Sequence, residues 1–542
     1  MRATTLFTTH TPVPAGHDRF GEDLMRRYFS DAAEWVGVGW ERFLSLGQAP
    51  EDDATDFNMT YLALHFSSWV NGVSQLHAEV SRELLSAYWP RLLEEEIPLN
   101  GVTNGIHLGT WTAPEVMDVL GVRDRAVRGE DFREPVAASR RPALWSARRT
   151  LKERLLSAAR TSVRRRLVER SESPRVLEAI EEGLSEERAL VIGFARRFAP
   201  YKRAHLLFQD VERLARILGD TDRPVRILIA GKAHPRDGRG QEILQQVFQR
   251  SREDTLLGKV VFLEDYDMTL ARHLVRGVDV WLNNPTRKLE ASGTSGMKVC
   301  TNGGLNLSIA DGWWPEAFDG RNGWRIGDER VYGDQELQDQ LDAAALYDLL
   351  ENELVPLYFE RDADGVPQGW MERVQHCLET IPHVFDTARM VSEYLDRAYL
   401  PLGRAFEALD GGGRATLKSR AAEKKRLKEG FEALRVVGAQ VSDLSRLQVG
   451  EVFEAQLEVD LGALAVDDVV AELVYGSADG DERLHDVNVT ELEPRATNDS
   501  GHQVFGGSAK LERSGGYAYG LRLRPRAGVE VSPALSQLAV WA

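Results

Sequence analysis

A chain of 542 residues is too long for one hydrophobic core, and its 43% hydrophobic and 28% charged composition is that of folded globular protein, so two or three domains are expected. With 84 Asp plus Glu against 67 Lys plus Arg, the net charge of -17 gives no basic footprint for nucleic acid and leaves a neutral ligand or a locally bound anion. Only Cys300 and Cys377 are present, which excludes a disulfide framework, and no run nears the roughly 20 apolar residues of a membrane span. The start MRATTLFTTH shows neither a basic region nor a cleavage site, so a cytoplasmic setting is the expectation.

In chain order, TTLFTTH reads as a short strand whose apolar residues need neighbours. Residues 143–172 place apolar side chains at helical spacing among arginines and lysines, the pattern of an amphipathic helix with a solvated basic face. Between residues 189 and 310, ALVIGFARRF, VRILIAGKAHP, KVVFLEDY, GVDVWLNNP and LNLSIADGWW alternate with helix-like stretches, the rhythm of a parallel α/β sheet. The carboxyl ends of such strands collect ligands, so ARRFAPYK, GKAHP, EDYD and NNP point to one crevice. Residues 335–410 are helical, with Leu346, Leu349, Leu350 and Leu354 on one stripe, and the glycines 411–413 mark a boundary. A charged linking helix over 411–433 follows, and then alternating segments over 434–542 that predict a small β-sandwich.

The stretch EASGTSGMK, residues 290–298, sets one lysine behind a loop of small residues. Such a loop is ordinarily a surface turn. Its backbone N–H groups can also bind phosphate oxygens while the lysine reaches the other end of the same ligand, and pyridoxal phosphate, an aldehyde with a phosphate, satisfies both ends. No Ser/His/Asp set, metal-ligand cluster or placed carboxylate pair suggests a hydrolase.

Taken with NGGLNLSIADG, FARRFAPYKRA, FLEDYDMTLA, VNGVSQLHAE, VTNGIHLGTW and TTHTPVPAGHDRF, this stretch resembles the glycogen and starch (α-glucan) phosphorylases of the shorter bacterial type, over roughly residues 1 to 410. The C-terminal segment resembles the tail domain of that branch. The resemblance implies an α/β, two-lobed glycosyltransferase (GT-B-like) fold with Rossmann-like lobes. Residues 1–100 would be a remnant of an incomplete N-terminal lobe, 101–410 a Rossmann-like catalytic lobe with the cofactor and phosphate site, and 434–542 the β-sandwich-like domain. It implies phosphorolysis of an α-1,4-glucan (glycogen, starch or maltodextrin) to α-glucose 1-phosphate with retention, the phosphate of pyridoxal 5'-phosphate serving as proton donor and acceptor.

By the same resemblance, Lys298 carries the cofactor, Thr294 and Ser295 face its phosphate, and Tyr266 belongs to its pocket. Arg197 and Lys202 bind inorganic phosphate, since two phosphates brought together need cations between them. Glu290, Ser292 and Gly293 hold the glucosyl hydroxyls, and Asn104 and His10 bind the same sugar. His17, His77 and His107 are read as structural. Departures from the longer animal-type enzymes fall at Ala15, Ala199, Pro200 and Asp267 and bear on regulation. His10 stands near the start, whereas several hundred residues precede it in the family, so a truncated N-terminal lobe with an open phosphate pocket is an expectation. Two other readings stand beside this one: a nucleotide-sugar-dependent glucan synthase, which leaves Lys298 unexplained, and a truncated, non-catalytic glucan-binding fragment. The expected partners are the glucan and inorganic phosphate, with no nucleic acid and no membrane; homo-oligomerisation is left open.

Overall fold

Strand-forming runs of different burial pattern build separate sheets. The computed structural model describes residues 4–35, 37–49, 56–122, 127–133, 136–442, 447–478, 484–526 and 538–542. The first part contributes β1 (Leu6–Thr8), β2 (Arg19–Phe20), β3 (Phe57–Asn58), β4 (Trp69–Gly72) and β5 (Leu99–Gly101). The order β1-β4-β5 makes a parallel sheet, and β2 pairs antiparallel with β3. The strand expected in TTLFTTH is thus an edge strand on β4, with Phe7 packed on a cluster that includes Tyr61, Leu64, Val70 and Trp89.

The central sheet consists of β6 (Leu190–Ala195), β7 (Val225–Ala230), β8 (Val260–Leu263), β9 (Val280–Asn283), β10 (Leu305–Ile309) and β11 (Gly323–Ile326). Every residue of β6, β9 and β10 is buried, as strands covered on both faces by helices must be. All pairings are parallel and the order is β11-β10-β9-β6-β7-β8, that of a doubly wound sheet. Its topological switch lies between β6 and β9, the place at the carboxyl ends of the strands where ligands of such sheets collect. Aspartates start the covering helices: Asp210 accepts from Arg213 N, Asp237 from Gly240 N and Asp267 from Leu270 N, each at 2.8 Å. Asp267, a departure from the animal-type pattern, is therefore a helix cap here.

The basic stretch after residue 141 forms the helix Arg141–Glu169, but its charges are not all on a solvated face. Arg148 and Lys152 are each 2% exposed and lie under the central sheet. Farther on, the helix Gln335–Leu349 runs through a π-turn at Leu350–Leu354, and Leu346, Leu350 and Leu354 are buried as the leucine stripe requires.

The expected boundary at the glycines is corrected by the helix Leu400–Ala433, which continues through them. Left-handed dihedrals at Gly413 (φ 69) and Arg414 (φ 65) turn the chain within that element without ending it. β5 ends at Gly101, beside the expected bound at residue 100, and the later chain returns to this sheet. Asn71 Nδ2 donates to Tyr394 Oη at 2.8 Å, and Arg397 Nη1 donates to Gly101 O at 2.9 Å.

The last part contains β12 (Arg435–Val441), β13 (Val452–Asp460), β14 (Val469–Ala478), β15 (Leu484–Pro494), β16 (Gln503–Lys510), β17 (Tyr517–Pro525) and β18 (Val540–Trp541). They form one antiparallel sheet in the order β12-β13-β16-β15-β14-β17-β18, rather than the two separate sheets of a sandwich. Long β15 pairs with β14 along most of its length and with β16 only at Glu493 and Pro494, so the sheet curls there and encloses Phe453, Leu457, Leu473, Leu521 and Leu523. This sheet is fastened to the first part. Arg522, fully buried, donates to Glu96 at 2.6 Å and to Glu472 at 2.7 Å, and Trp541 Nε1 donates to Arg91 O at 3.1 Å. Among the described residues, no helix is long and apolar enough to cross a membrane.

Candidate active site

Beyond β6 the chain passes Arg196 and Arg197 and tightens into a 3-10 turn, Pro200–Lys202, because Pro200 fixes the first φ of the turn. Arg203 follows in the left-handed region (φ 48) and is 1% exposed. Its guanidinium donates to Asn284 O at 3.0 Å, Pro285 O at 2.7 Å and Asp339 Oδ1 at 2.8 Å, and pairs with Asp342 at 2.8 Å. The loop after β6 is thereby stapled to the loop after β9. Lys202, next to this staple, is carried to Glu290.

The EASGTSGMK stretch is shaped by close backbone contacts. Glu290 N donates to Asp311 Oδ2 and Gly312 N to Asp311 Oδ1, both at 2.9 Å. Trp313 N donates to Ser292 O at 2.9 Å, and a Cβ at Gly312 would lie 2.3 Å from that oxygen, so only glycine fits there. Gly293 (φ 82) turns the chain into the helix Thr294–Cys300, which carries Lys298 in its second turn. From the first part of the chain, Ser74 Oγ donates to Ala291 O at 2.8 Å. Glu316 ties the same two parts together by accepting from Gln75 N at 2.8 Å and Thr103 Oγ1 at 2.6 Å.

Glu290, 8% exposed, is shared by two cations: Arg196 Nη2 donates to Oε2 at 2.6 Å, and Lys202 Nζ donates to the same oxygen. Burial works to raise its pKa, but Arg196 and Lys202 together outweigh this and hold the carboxyl below its ordinary range. Lys202 moves the other way, down to about 8, because of burial first and then the like charge of Arg196, with Glu290 opposing. The two shifts are compatible. The carboxylate faces two opposite charges, while the ammonium faces one opposite and one like charge. Asp311, 1% exposed, is pushed up to about 7, chiefly by burial and further by Glu290, against the two N–H bonds it accepts.

Lys298 lies with its ammonium 4.1 Å from the Trp111 ring centroid. Among the described residues it has no carboxylate partner, and burial lowers its pKa, so it holds a larger share of neutral amine than an exposed lysine. Ser295 Oγ accepts from Trp281 Nε1 at 3.1 Å, and Thr294 is half-buried beside it. Tyr266 packs on the cluster of Trp281, Leu270, Leu274 and Val299, whose rim also holds Trp111, and burial raises its phenol pKa. A lysine of lowered pKa over the Trp111 ring, with hydroxyl and backbone donors at the start of its helix, is a donor set that fits a phosphorylated aldehyde.

The remaining expected residues are less closely drawn in. Arg197 is exposed and has no ion-pair partner among the described residues, while its neighbour Arg196 takes the buried position on Glu290. Asn104 is held by its backbone, N donating to Val73 O at 3.1 Å and O accepting from Arg389 at 3.3 Å. His10 is exposed on the segment after β1, close enough to His77 that its charge disfavours protonation there. His77 is structural: Val73 N donates to its Nδ1 at 3.1 Å, and burial takes its pKa to about 4. His17 and His107 bond Thr60 and Thr110 at 2.7 and 2.8 Å. Arg196, Asp311, Ser74, Glu316 and Trp111 were not singled out from the sequence. Several buried polar atoms around this group, Arg196 Nη1, Ser292 Oγ, Asn283 Oδ1, Asn284 Oδ1 and Trp313 Nε1, have no hydrogen-bond partner among the described residues. Such atoms are costly in a fold and mark surfaces where a polar ligand is received.

Residues 22–318 match the family described as "Phosphorylase: Carbohydrate phosphorylase", and residues 432–542 match "GlgP_C: Glycogen phosphorylase C-terminal domain". The chain is 38% identical over 539 residues to a glycogen phosphorylase of Mycobacterium tuberculosis (strain ATCC 25618 / H37Rv), covering 97% of this chain and 62% of the relative. It is 39% identical over 486 residues to a maltodextrin phosphorylase of Thermococcus litoralis, covering 88% and 55%. With a glycogen phosphorylase of Aquifex aeolicus the identity is 40% over 412 residues, covering 74% and 57%. The chain thus spans less than two thirds of the length of these relatives, 55 to 62%.

Proposed function

The chain belongs to the carbohydrate phosphorylase family, and on that premise we propose that it acts in the phosphorolysis of an α-1,4-glucan such as glycogen, starch or maltodextrin. In this reaction the bond from C1 of the terminal glucosyl residue to the bridging oxygen breaks, and C1 joins an oxygen of inorganic phosphate with retention. A proton passes to the departing 4-oxygen, which becomes a hydroxyl, giving α-glucose 1-phosphate and a chain shorter by one residue. The observation that carries this reading is the convergence of Arg196, Lys202 and Glu290 at the switch of the central sheet, on the stretch that ends in Lys298.

In the proposed roles, Lys202 and Arg197 supply positive charge to the substrate phosphate. Arg197 is suited to this by being exposed and without an ion-pair partner among the described residues, and Lys202 by its buried position on Glu290. Arg196 orients Glu290, whose carboxylate, with Ser292 Oγ and the backbone at Gly293, receives glucosyl hydroxyls. Asn104 and His10 serve the same sugar from the first part of the chain, and the Ser74 and Glu316 bonds keep the two parts in register. Lys298, Thr294, Ser295 and Tyr266 hold pyridoxal 5'-phosphate. When bound, that cofactor supplies a phosphate group that gives and takes back the proton through the substrate phosphate. Burial lowers the pKa of Lys298, which suits covalent capture of an aldehyde. We further propose a GT-B-like arrangement, with residues 1–101 in one lobe and the central sheet in the other.

Three variants test this. Lys298→Ala should fold yet lose all near-ultraviolet cofactor absorbance after denaturing gel filtration of borohydride-reduced protein; cofactor retained in full would refute the anchor. Arg197→Ala should weaken phosphate by about 2 to 5 kcal/mol while leaving glucan binding nearly unchanged. Glu290→Gln should do the reverse, and equal losses for both ligands in either variant would overturn these assignments.

A further inference from the structure

We propose that the C-terminal curled sheet carries a second glucan-binding site, a tyrosine-lined recess that takes a glucosyl residue of the polymer away from the reacting end. The choice of a glucan as occupant rests on the phosphorolysis reading, whereas the recess itself does not.

β14 and β17 are paired so that Tyr475 lies opposite Tyr519 and Ser477 opposite Tyr517, which sets the three phenols on one face of the sheet. Farther along that face, Leu473, Leu521 and Leu523 are sealed in the core. Toward the tyrosines the curl opens and leaves a recess of about 120 Å³, with Leu447, Phe453 and Leu511 closing it from the other side. Phe453 braces Tyr475 edge-on, ring centroids 5.4 Å apart at 89°. Tyr519 is 47% exposed, and the neighbouring Gly515 presents no side chain to block the rim.

The lining chemistry selects the ligand. Among the described residues, those that line the recess are aromatic, aliphatic or glycine. The hydroxyls of Tyr475, Tyr517 and Tyr519 have no hydrogen-bond partner among the described residues. Each ring thus offers an apolar face and an unsatisfied polar tip, and a pyranose offers the same pair of features, a C–H face and a rim of hydroxyls. A wholly apolar peptide would leave the phenols unmatched. A glucan also gives the recess a purpose that one glucosyl contact cannot fulfil alone: a weak second contact on a long polymer raises the effective concentration of chain ends at the catalytic crevice.

The test uses the full chain, native affinity electrophoresis in glycogen, and glucose 1-phosphate release from maltotetraose. Tyr519→Ala and Tyr517→Ala should each weaken glycogen retardation at least fivefold, and Tyr519→Phe, which keeps the ring, about twofold. Release from the short substrate should be unchanged, with far-ultraviolet circular dichroism and melting matching the parent. Glycogen retardation unaltered in both alanine variants overturns the site, as does a change confined to self-association in sedimentation. Retardation that depends on the tyrosines in a chain that releases no glucose 1-phosphate would sink the phosphorolysis reading and leave the recess standing. Release with tyrosine-independent retardation would do the opposite.

Discussion

Two buried charge clusters sit at opposite ends of β9, and their hydrogen bonding differs in kind. At its amino end, Asp279 accepts from Lys152 Nζ at 3.0 Å and from Val191 N at 2.9 Å, with Arg148 at 3.9 Å. Lys152 also donates to Ala189 O at 2.9 Å and to the Tyr358 hydroxyl, and Arg148 donates to Asn302 O at 3.0 Å and to the carbonyls that end the helix before β9. Among the described residues, these charged side chains leave no buried atom unpartnered. At the carboxyl end, Arg196, Lys202 and Glu290 are paired as closely, yet Arg196 Nη1 and neighbouring polar atoms of Ser292, Asn283 and Asn284 have no partners among the described residues. A cluster that satisfies itself holds a fold. One that keeps donors in reserve can receive a ligand.

The contrast can be broken most severely at the closed end. Asp279→Ala leaves Lys152 and Arg148 buried without a counter-charge and should cost about 3 to 5 kcal/mol, read as a shift of the urea midpoint; a loss below about 1 kcal/mol would mean that the carbonyl partners suffice alone. Arg196→Ala should cost less, about 1.5 to 3 kcal/mol, because Lys202 still covers Glu290, and the same variant should raise the pKa of Lys202 by removing a like charge. A cost equal to that of Asp279→Ala would show the open cluster to be structural too. Arg197→Ala should alter stability by less than about 0.5 kcal/mol, so that any effect on phosphate belongs to binding.

A probe of another kind is Asp311→Asn, whose effect depends on pH. The carboxyl of Asp311 is raised from an ordinary 3.8 to about 7, so the folded state favours its protonated form. Its contribution to stability is therefore complete below about pH 4 and is lost as pH rises through 7. Relative to the parent, the asparagine variant should gain in melting temperature across that interval and level off above it. A difference independent of pH would assign the shift to another group.

The sequence is most informative where burial is continuous. β6 to β10 stand out because strands covered on both faces are nearly unbroken apolar runs, while β11, four residues beside a glycine turn, carries too little pattern to be seen. The glycine-containing EASGTSGMK loop is legible for a similar reason, since close backbone approach admits few residue types. Adjacent arginines are not so easily separated. Successive side chains leave the backbone in different directions, and nothing in ARRF tells which arginine turns inward; that depends on where Glu290, 94 positions later, arrives. Arg148 and Lys152 look like part of a solvated basic face for the same reason, their counter-charge lying 127 positions from Lys152. The glycines at 411–413 signal a change of direction, but the chain stays helical across it and packs Leu427 and Phe431 into the core of the last sheet.

The long helix has a consequence for proteolysis. Most of its described residues between Gly403 and Glu423 are exposed, among them Arg404, Arg414, Lys418 and Arg420. A single tryptic cut there severs the chain without freeing its last hundred or so residues, because Arg522 remains clasped to Glu96 and Trp541 to Arg91. The two fragments should therefore travel together on a sizing column in buffer and part only in denaturant, so that the molecule behaves as a naturally splittable pair.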